Sequence, residues 1–197
     1  MSVNLSAIDR LLLDDAFSDN VYRPFSECWT VRMDSELLLV DDDVEKVSRF
    51  SDNEEERSKA LVIINEKNRQ IVLLSIDNKL IKDHEGGIAD CALFDEDQLH
   101  FVEFKTNAYG NSEQSIRDTF EKAISQLVET MSVFRSRLIP LNIDLDEVIS
   151  LYCQIVVSES FPRSSALKQE YQIRFADENE GIGLSINRKL FWERSLL

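Results

Sequence analysis

The most informative segment of the chain is GGIADCALFDEDQLHFVEFKT, which covers residues 86–106. Two apolar runs, over 88–94 and 99–105, flank the polar segment 95–98. Polar residues between two such runs are typical of a β-hairpin. A long helix is expected next, over 112–138, because its apolar residues recur at steps of three and four and Ser112 can cap its first turn.

The register of this hairpin places three polar side chains together. Residues two apart share one face of a strand, so Glu103 and Lys105 lie on the same side. If residues 95–98 form the loop, Asp90 lies opposite Glu103 on the neighbouring strand. Opposed Cβ atoms are about 4.5–5.5 Å apart, a spacing at which two carboxylates repel each other. Such a pair suits a hard divalent cation, and a lysine ammonium beside it can stabilise developing charge.

The Glu-x-Lys pattern alone carries no weight, because the chain also contains Asp77-Asn78-Lys79. Two such triplets are about what chance predicts for a chain with 37 acidic residues. The Asp77 triplet has less support, since no helix follows it. From register alone, a simple ion pair between Glu103 and Lys105 at the edge of the sheet stays open as the alternative.

The order of these motifs resembles the core of the PD-(D/E)XK nuclease-like superfamily. The resemblance covers about residues 70–138 and is carried by the segment ending in Asp90, by Phe101–Thr106 and by the long amphipathic helix. It implies an α/β fold with a restriction-endonuclease-like core, in which helices cover both sides of a central mixed β-sheet. Since the chain has 197 residues and no linker is evident, we expect a single domain over 1–197.

The same resemblance implies the roles of the site residues. Asp90 and Glu103 would be metal ligands, Phe104 would offer its backbone carbonyl to the metal, and Lys105 would be the catalytic lysine. The implied cofactor is Mg²⁺ or Mn²⁺, and the implied reaction is hydrolysis of phosphodiesters in nucleic acid. A cytoplasmic enzyme acting on DNA, more than on RNA, is therefore the expectation.

Three departures from the family pattern leave parts of the site open. The usual proline is absent, because Ala89 precedes Asp90. Many members add an acid from an N-terminal helix, and Glu27, Glu36 and Glu45 are all candidates for it. Gln126 lies on the flank of the apolar stripe of the long helix, where it can face either the site or solvent, and we expect solvent.

The charge of the chain favours a second function. With 37 acidic and 22 basic residues, the net charge is -15, which does not attract polyphosphate over long distances. The alternative is therefore a catalytically silent nuclease-fold protein whose acidic surface binds a protein partner or mimics DNA. A basic groove would favour the enzyme; its candidate residues are Lys105, Arg117, Lys122, Arg163 and Lys168.

Weaker patterns complete the expected organisation. Strands are expected over 29–33, 148–157 and 184–191, and a hairpin from 60–64 and 71–76. An acidic loop is expected over 41–57, with Asp41-Asp42-Asp43 as solvated surface, and His100 is expected to be structural. Three widely spaced cysteines and the absence of an apolar run of roughly 20 residues predict a cytoplasmic protein without disulfides, secretory signal or membrane span.

Overall fold

A computed structural model describes residues 6–18, 23–82, 84–106, 112–158, 161 and 165–193. Within these ranges the chain forms five α-helices and ten β-strands. In chain order they are α1 (Ser6–Arg10), α2 (Leu13–Ala16), β1 (Trp29–Arg32), β2 (Glu36–Asp42), β3 (Val47–Ser51), β4 (Leu61–Ile64), β5 (Ile71–Ser75), β6 (Cys91–Phe94), β7 (Gln98–Lys105), α3 (Glu113–Leu138), α4 (Leu145–Val148), β8 (Ser150–Val157), α5 (Ser165–Glu178), β9 (Gly183–Ile186) and β10 (Lys189–Phe191).

A six-stranded mixed sheet forms the centre of the fold, in the order β1-β5-β6-β7-β8-β9. Strands β1, β5, β6 and β7 pair antiparallel, whereas β7, β8 and β9 pair in parallel. The parallel pairs need long crossovers, which α3 and α5 supply. The expected α/β fold with a central mixed sheet and flanking helices is thus confirmed.

Helix α3 packs along the middle of this sheet, as its apolar stripe predicts. Ser112 caps it by accepting a hydrogen bond from the backbone N–H of Ser115 at 3.2 Å. The stripe is buried throughout: Ile116, Phe120, Ala123, Ile124, Leu127, Met131, Phe134 and Leu138. These side chains share one apolar core with residues of α1, α2 and α5, so the described helices that contact the sheet cover the same face.

The opposite face of the central sheet is covered by a second sheet of four strands, in the order β10-β4-β2-β3. Leu37, Leu39 and Ile63 of this sheet pack against Leu93, Val102 and other residues of the central one. The helices on both sides that the family resemblance implies are therefore replaced here, on one side, by a β-sheet. Strands β2 and β4 form this layer by burying Leu37, Leu39, Leu61 and Ile63 against the central sheet.

Three expectations about connectivity are wrong. Residues 60–64 and 71–76 form strands, but β4 and β5 belong to different sheets rather than to one hairpin. Asn65 redirects the chain between them, because its side chain bonds the backbone of both Asp34 and Arg69. The stretch 184–191 likewise divides into β9 of the central sheet and β10 of the second sheet.

The acidic stretch 41–57 is not a single loop, which corrects the third expectation. It contains the end of β2, a tight turn, strand β3 and the single-turn helix Glu54–Ser58. Arg49 explains why so acidic a segment can pair, because its guanidinium bonds Asp42 and Glu56 at 2.8 Å each. None of the described helices is long and apolar enough to cross a membrane, and the three cysteines are buried and free.

Candidate active site

The β6–β7 ladder brings Asp90 and Glu103 to the same end of the central sheet. Phe94 pairs with Leu99 and Cys91 with Val102, which is the register expected from the sequence. Asp90 lies one residue beyond the last pair. Its carboxylate does not extend freely, because Oδ2 accepts a hydrogen bond from the backbone N–H of Phe104 at 2.6 Å.

This bond also orients the backbone of Phe104, the residue implied as a carbonyl ligand. In an extended strand the N–H and C=O of one residue point toward the same neighbouring strand. The Phe104 carbonyl is therefore directed toward the strand end that carries Asp90. The β6–β7 hairpin thus presents two carboxylates and one backbone oxygen in a small region.

Lys105 is held in the site by two acceptors. Its ammonium forms an ion pair with Glu103 Oε1 and donates a hydrogen bond to Gln126 Oε1 at 2.9 Å. Gln126 Nε2 in turn donates to the carbonyl of Ile88 at 3.0 Å. The expectation that Gln126 faces solvent is therefore wrong, because the side chain fills the gap between α3 and the site.

A second contact from α3 fixes the segment that precedes Asp90. The hydroxyl of Thr130 accepts a hydrogen bond from the Ala89 N–H and donates one to the Gln126 carbonyl, both at 2.7 Å. Thr130 is fully buried. One turn of α3 therefore positions both the strand end carrying Asp90 and, through Gln126, the ammonium of Lys105.

The two carboxylates lie in an environment that disfavours their charge. Burial, the nearby Glu103 and the nearby Asp41 raise the pKa of Asp90 well above its usual value. Burial raises the pKa of Glu103 to about 7, even though Lys105 opposes the change. Within the described part of the chain, Glu103 Oε2 is buried and has no hydrogen-bond partner.

A third acid reaches this region from the second sheet. Asp41 alternates with Leu37 and Leu39 along β2 and so faces the central sheet, which corrects the expectation of solvated surface. Its charge raises the pKa of both Asp90 and Glu103, and burial raises its own pKa. The alternation in β2 is the signal that could have revealed it.

The N-terminal glutamates that the sequence left open do not complete the site. Glu36 pairs with Arg57 at 2.8 Å on the second sheet. Glu27 and Glu45 are exposed, and neither contributes to the pKa shifts of Asp90 or Glu103. Of the acids considered, Asp41 is therefore the one whose charge the two candidate ligands feel.

The site offers oxygen donors of the kind that a hard divalent cation binds. No cluster of three or more His, Cys, Asp or Glu arranged to hold a metal occurs in the ranges that the structure describes. Mg²⁺ commonly binds through one or two carboxylates and keeps several waters. The hard oxygens of Asp90, Glu103 and Phe104, together with the unpartnered buried Oε2, fit that mode of binding.

The other sequence candidates are structural or lie elsewhere. His100 is buried on the opposite face of β7, stacks on Tyr152 and has a pKa lowered to about 3 by burial, as expected for a core histidine. Lys79 of the second acid-x-Lys triplet donates to the Glu27 carbonyl. Of the proposed basic groove, Arg117 pairs with Glu113 and Glu170, and Arg163 lies outside the described residues.

Substitutions at Asp90 should separate its charge from its hydrogen bond. Asp90→Asn removes the charge yet keeps an oxygen acceptor for the Phe104 N–H, so without metal it should be as stable as the wild type or more stable. Asp90→Ala leaves that buried N–H unpaired and should be less stable than Asp90→Asn by about 1–3 kcal/mol. Urea unfolding at pH 8 in EDTA measures both; a clear loss in Asp90→Asn would contradict the charge repulsion.

The raised pKa of Glu103 predicts a pH dependence of stability. Between its ordinary value of 4.5 and its folded value of about 7, the folded protein keeps a proton that the unfolded chain has lost. The free energy of unfolding should therefore fall as pH rises through this window. Unfolding of the wild type and Glu103→Gln at pH 5, 6, 7 and 8 in EDTA should show a shallower fall in the variant; parallel curves would refute the prediction.

Comparison of the chain with family models, with curated proteins and with solved structures finds no match. The class of site is therefore defined by its own geometry: two carboxylates and a lysine at one end of a mixed sheet, braced by a glutamine from the following helix.

Proposed function

We propose that this chain is a divalent-cation-dependent nuclease-like enzyme that hydrolyses phosphodiesters of nucleic acid. The observation that carries the proposal is the buried Oε2 of Glu103, unpartnered among the described residues, near a second, half-buried carboxylate, that of Asp90. An orphaned buried oxygen of this kind costs free energy unless a ligand pairs with it. The resemblance of the sequence to the PD-(D/E)XK superfamily supports this function. It also supports the proposal that the chain has a restriction-endonuclease-like core.

Asp90, Glu103 and the Phe104 carbonyl would hold Mg²⁺ or Mn²⁺. When bound, the cation supplies Lewis-acid activation of water and neutralises charge on the scissile phosphate. The Phe104 N–H keeps one oxygen of Asp90 engaged, which leaves its other oxygen for binding. The ammonium of Lys105 favours the ionised form of Glu103, but burial outweighs it and raises the pKa of the carboxyl to about 7.

Lys105 stabilises the negative charge that develops on the phosphate during attack. Its side chain is only 16% exposed, so its charge acts in a region with little water. Glu103 and Gln126 accept two of its three N–H donors, as far as the described residues extend, and the third can face a phosphate oxygen. Preorganised donors of this kind stabilise a transition state more effectively than solvent does.

A second candidate function is favoured by the acidic segments beside the second sheet. Asp43 and Glu45 are exposed in the turn after β2, and Glu54 and Glu55 are exposed in the single-turn helix after β3. With a net charge of -15, such a surface could bind a basic protein or mimic DNA without any hydrolysis. This acidic binding module is the alternative to the enzyme.

A cleavage assay distinguishes the two functions. Purified protein is incubated with single-stranded and duplex DNA and with RNA, in Mg²⁺, in Mn²⁺ and in EDTA. If the chain is a nuclease, we expect cleavage in Mg²⁺ or Mn²⁺, most of all of DNA, and no cleavage in EDTA. Failure to cleave any substrate, combined with no Mn²⁺ binding by calorimetry, would favour the acidic binding module.

A further inference from the structure

A basic pocket lies at the edge where the two sheets meet. We define it by Arg57, Lys168, Arg188 and Lys189, which line a cavity of about 380 Å³. Ligand sites in proteins commonly measure roughly 300–1,000 Å³. The cavity is therefore large enough for a small organic ligand or for one unit of a polymer.

The position of the basic pocket in the sheet is one that favours ligands. Its lining includes Val157 and Ser158 at the carboxyl end of β8, and Asn187 directly after β9. These two strands are parallel. Ligands of open α/β sheets bind outside the carboxyl ends of parallel strands, because the loops there can diverge and leave a crevice.

The charge of the basic pocket is opposite to that of the whole chain. Four basic side chains line it against one acid, Glu36, whereas the chain carries a net charge of -15. Two of the bases are fixed by backbone bonds: Arg188 Nη2 donates to the Arg57 carbonyl at 2.8 Å, and Lys168 Nζ to the Ile186 carbonyl at 3.1 Å. A concentrated positive charge of this kind selects an anion.

The pocket also has an apolar part. Val62, Val157 and Phe161 are buried and contribute to its lining. A purely inorganic anion would gain nothing from these side chains. The combination of several bases with an apolar wall suits a phosphate attached to an organic body, such as a nucleotide unit.

The basic pocket begins one strand away from the candidate active site. Val157 is the direct register partner of Lys105 across the parallel β7–β8 pair. Neighbouring strands lie about 4.8 Å apart. A strand of nucleic acid bound in the pocket could therefore continue toward Lys105 without leaving this end of the sheet.

We propose that the basic pocket binds a backbone phosphate of the nucleic-acid strand on which the enzyme acts. This assignment of the strand rests on the proposed function. It also answers the difficulty posed by the net charge, because a local cluster of bases supplies the phosphate contacts that the rest of the acidic chain would repel.

Binding in EDTA tests the proposal separately from cleavage. Fluorescence anisotropy is measured with labelled single-stranded DNA, duplex DNA and RNA, on the wild type and on the double variant Lys168→Gln with Lys189→Gln. We expect at least a tenfold weaker affinity in the double variant. For a single strand, the slope of log K against log salt should become shallower by about 0.7, since the contact with one phosphate is lost.

Two further variants exclude a merely structural effect. Glu36→Gln removes the acid from the pocket lining and one of the two carboxylates with which Arg57 pairs, the other being that of Glu54, so it should bind the strand about threefold more tightly. Lys67→Gln, in the exposed turn before β5, should bind as the wild type does. A gain of affinity in one variant and a loss in another cannot both come from misfolding.

The outcomes separate this inference from the proposed function. Equal binding by the double variant and the wild type, or no binding of any strand, overturns the inference. Binding of a free nucleoside monophosphate in calorimetry without binding of any strand also overturns it, in favour of a nucleotide site. If strand binding depends on the pocket but no cleavage occurs in Mg²⁺ or Mn²⁺, the inference is supported and only the proposed nuclease activity is contradicted.

Discussion

Lys105→Ala is expected to lower metal-dependent cleavage by about 10²–10³-fold or more. The ammonium is the group placed to stabilise charge on the phosphate, and neither Glu103 nor Gln126 can replace a positive charge. Cleavage rates in saturating Mg²⁺ measure the loss. Lys105→Met keeps the apolar stem of the side chain and should show a similar loss. This variant excludes the possibility that the loss comes from the cavity that truncation to alanine leaves.

The second acid-x-Lys triplet of the chain offers a matched control. Lys79 follows Asp77 with the same spacing, but its ammonium bonds the carbonyl of Glu27 rather than the site. Lys79→Ala should therefore cleave at the wild-type rate. Full activity in Lys105→Ala, with circular dichroism matching the wild type, would show that Lys105 serves only as the ion-pair partner of Glu103.

Divalent cations should stabilise the wild type strongly. At a Mn²⁺ concentration about 100 times its dissociation constant, binding adds about 2.7 kcal/mol to the free energy of unfolding. For a chain of this length that corresponds to a rise in melting temperature of about 5–10 °C. The physical reason is that a cation relieves the repulsion between Asp90 and Glu103 and pairs with the orphaned Oε2. Thermal unfolding at pH 8 with Mn²⁺ and with EDTA measures the rise.

Charge-matched variants decide whether this stabilisation is specific. Glu103→Gln and Asp90→Asn should each lose most of the rise, because each removes one candidate ligand. Glu55→Gln removes an exposed acid of the same charge elsewhere and should keep the full rise. An equal rise in all three variants would point to nonspecific screening of the acidic surface, and the metal site would be abandoned.

Local periodicity in the sequence was enough to predict the central motif. The polar segment between two apolar runs determines the β6–β7 register, which the Cys91–Val102 pair confirms. The apolar stripe and Ser112 likewise determine α3. Both rest on interactions between residues close in the chain, so the pattern of the sequence contains the information. The implied placement of Asp90, Glu103 and Lys105 at one strand end follows from that register.

The neighbours of these three residues could be identified only from the tertiary structure. The charge of Asp41 acts on the site only because β2 packs its face against the central sheet. Gln126 lies on the flank of its helix. Whether that flank is buried depends on where α3 crosses the β6–β7 hairpin. The alternation in β2 predicts that Asp41 faces inward but not what lies opposite it, and nothing in the local pattern of Gln126 distinguishes a contact with the site from a contact with water.

Strand pairing was decided in the same way. Residues 61–64 and 71–75 are both short apolar runs, and their pattern predicts strands without choosing partners. Each joined a different sheet because two packed sheets bury both of their inner faces, whereas one hairpin would leave one face exposed. The basic pocket has the same origin, since Arg57 and Lys168 are 111 residues apart and meet only where the two sheets join. Local patterns in the sequence therefore predict the strands, the long helix and the β6–β7 register, whereas long-range burial decided which of the other elements met.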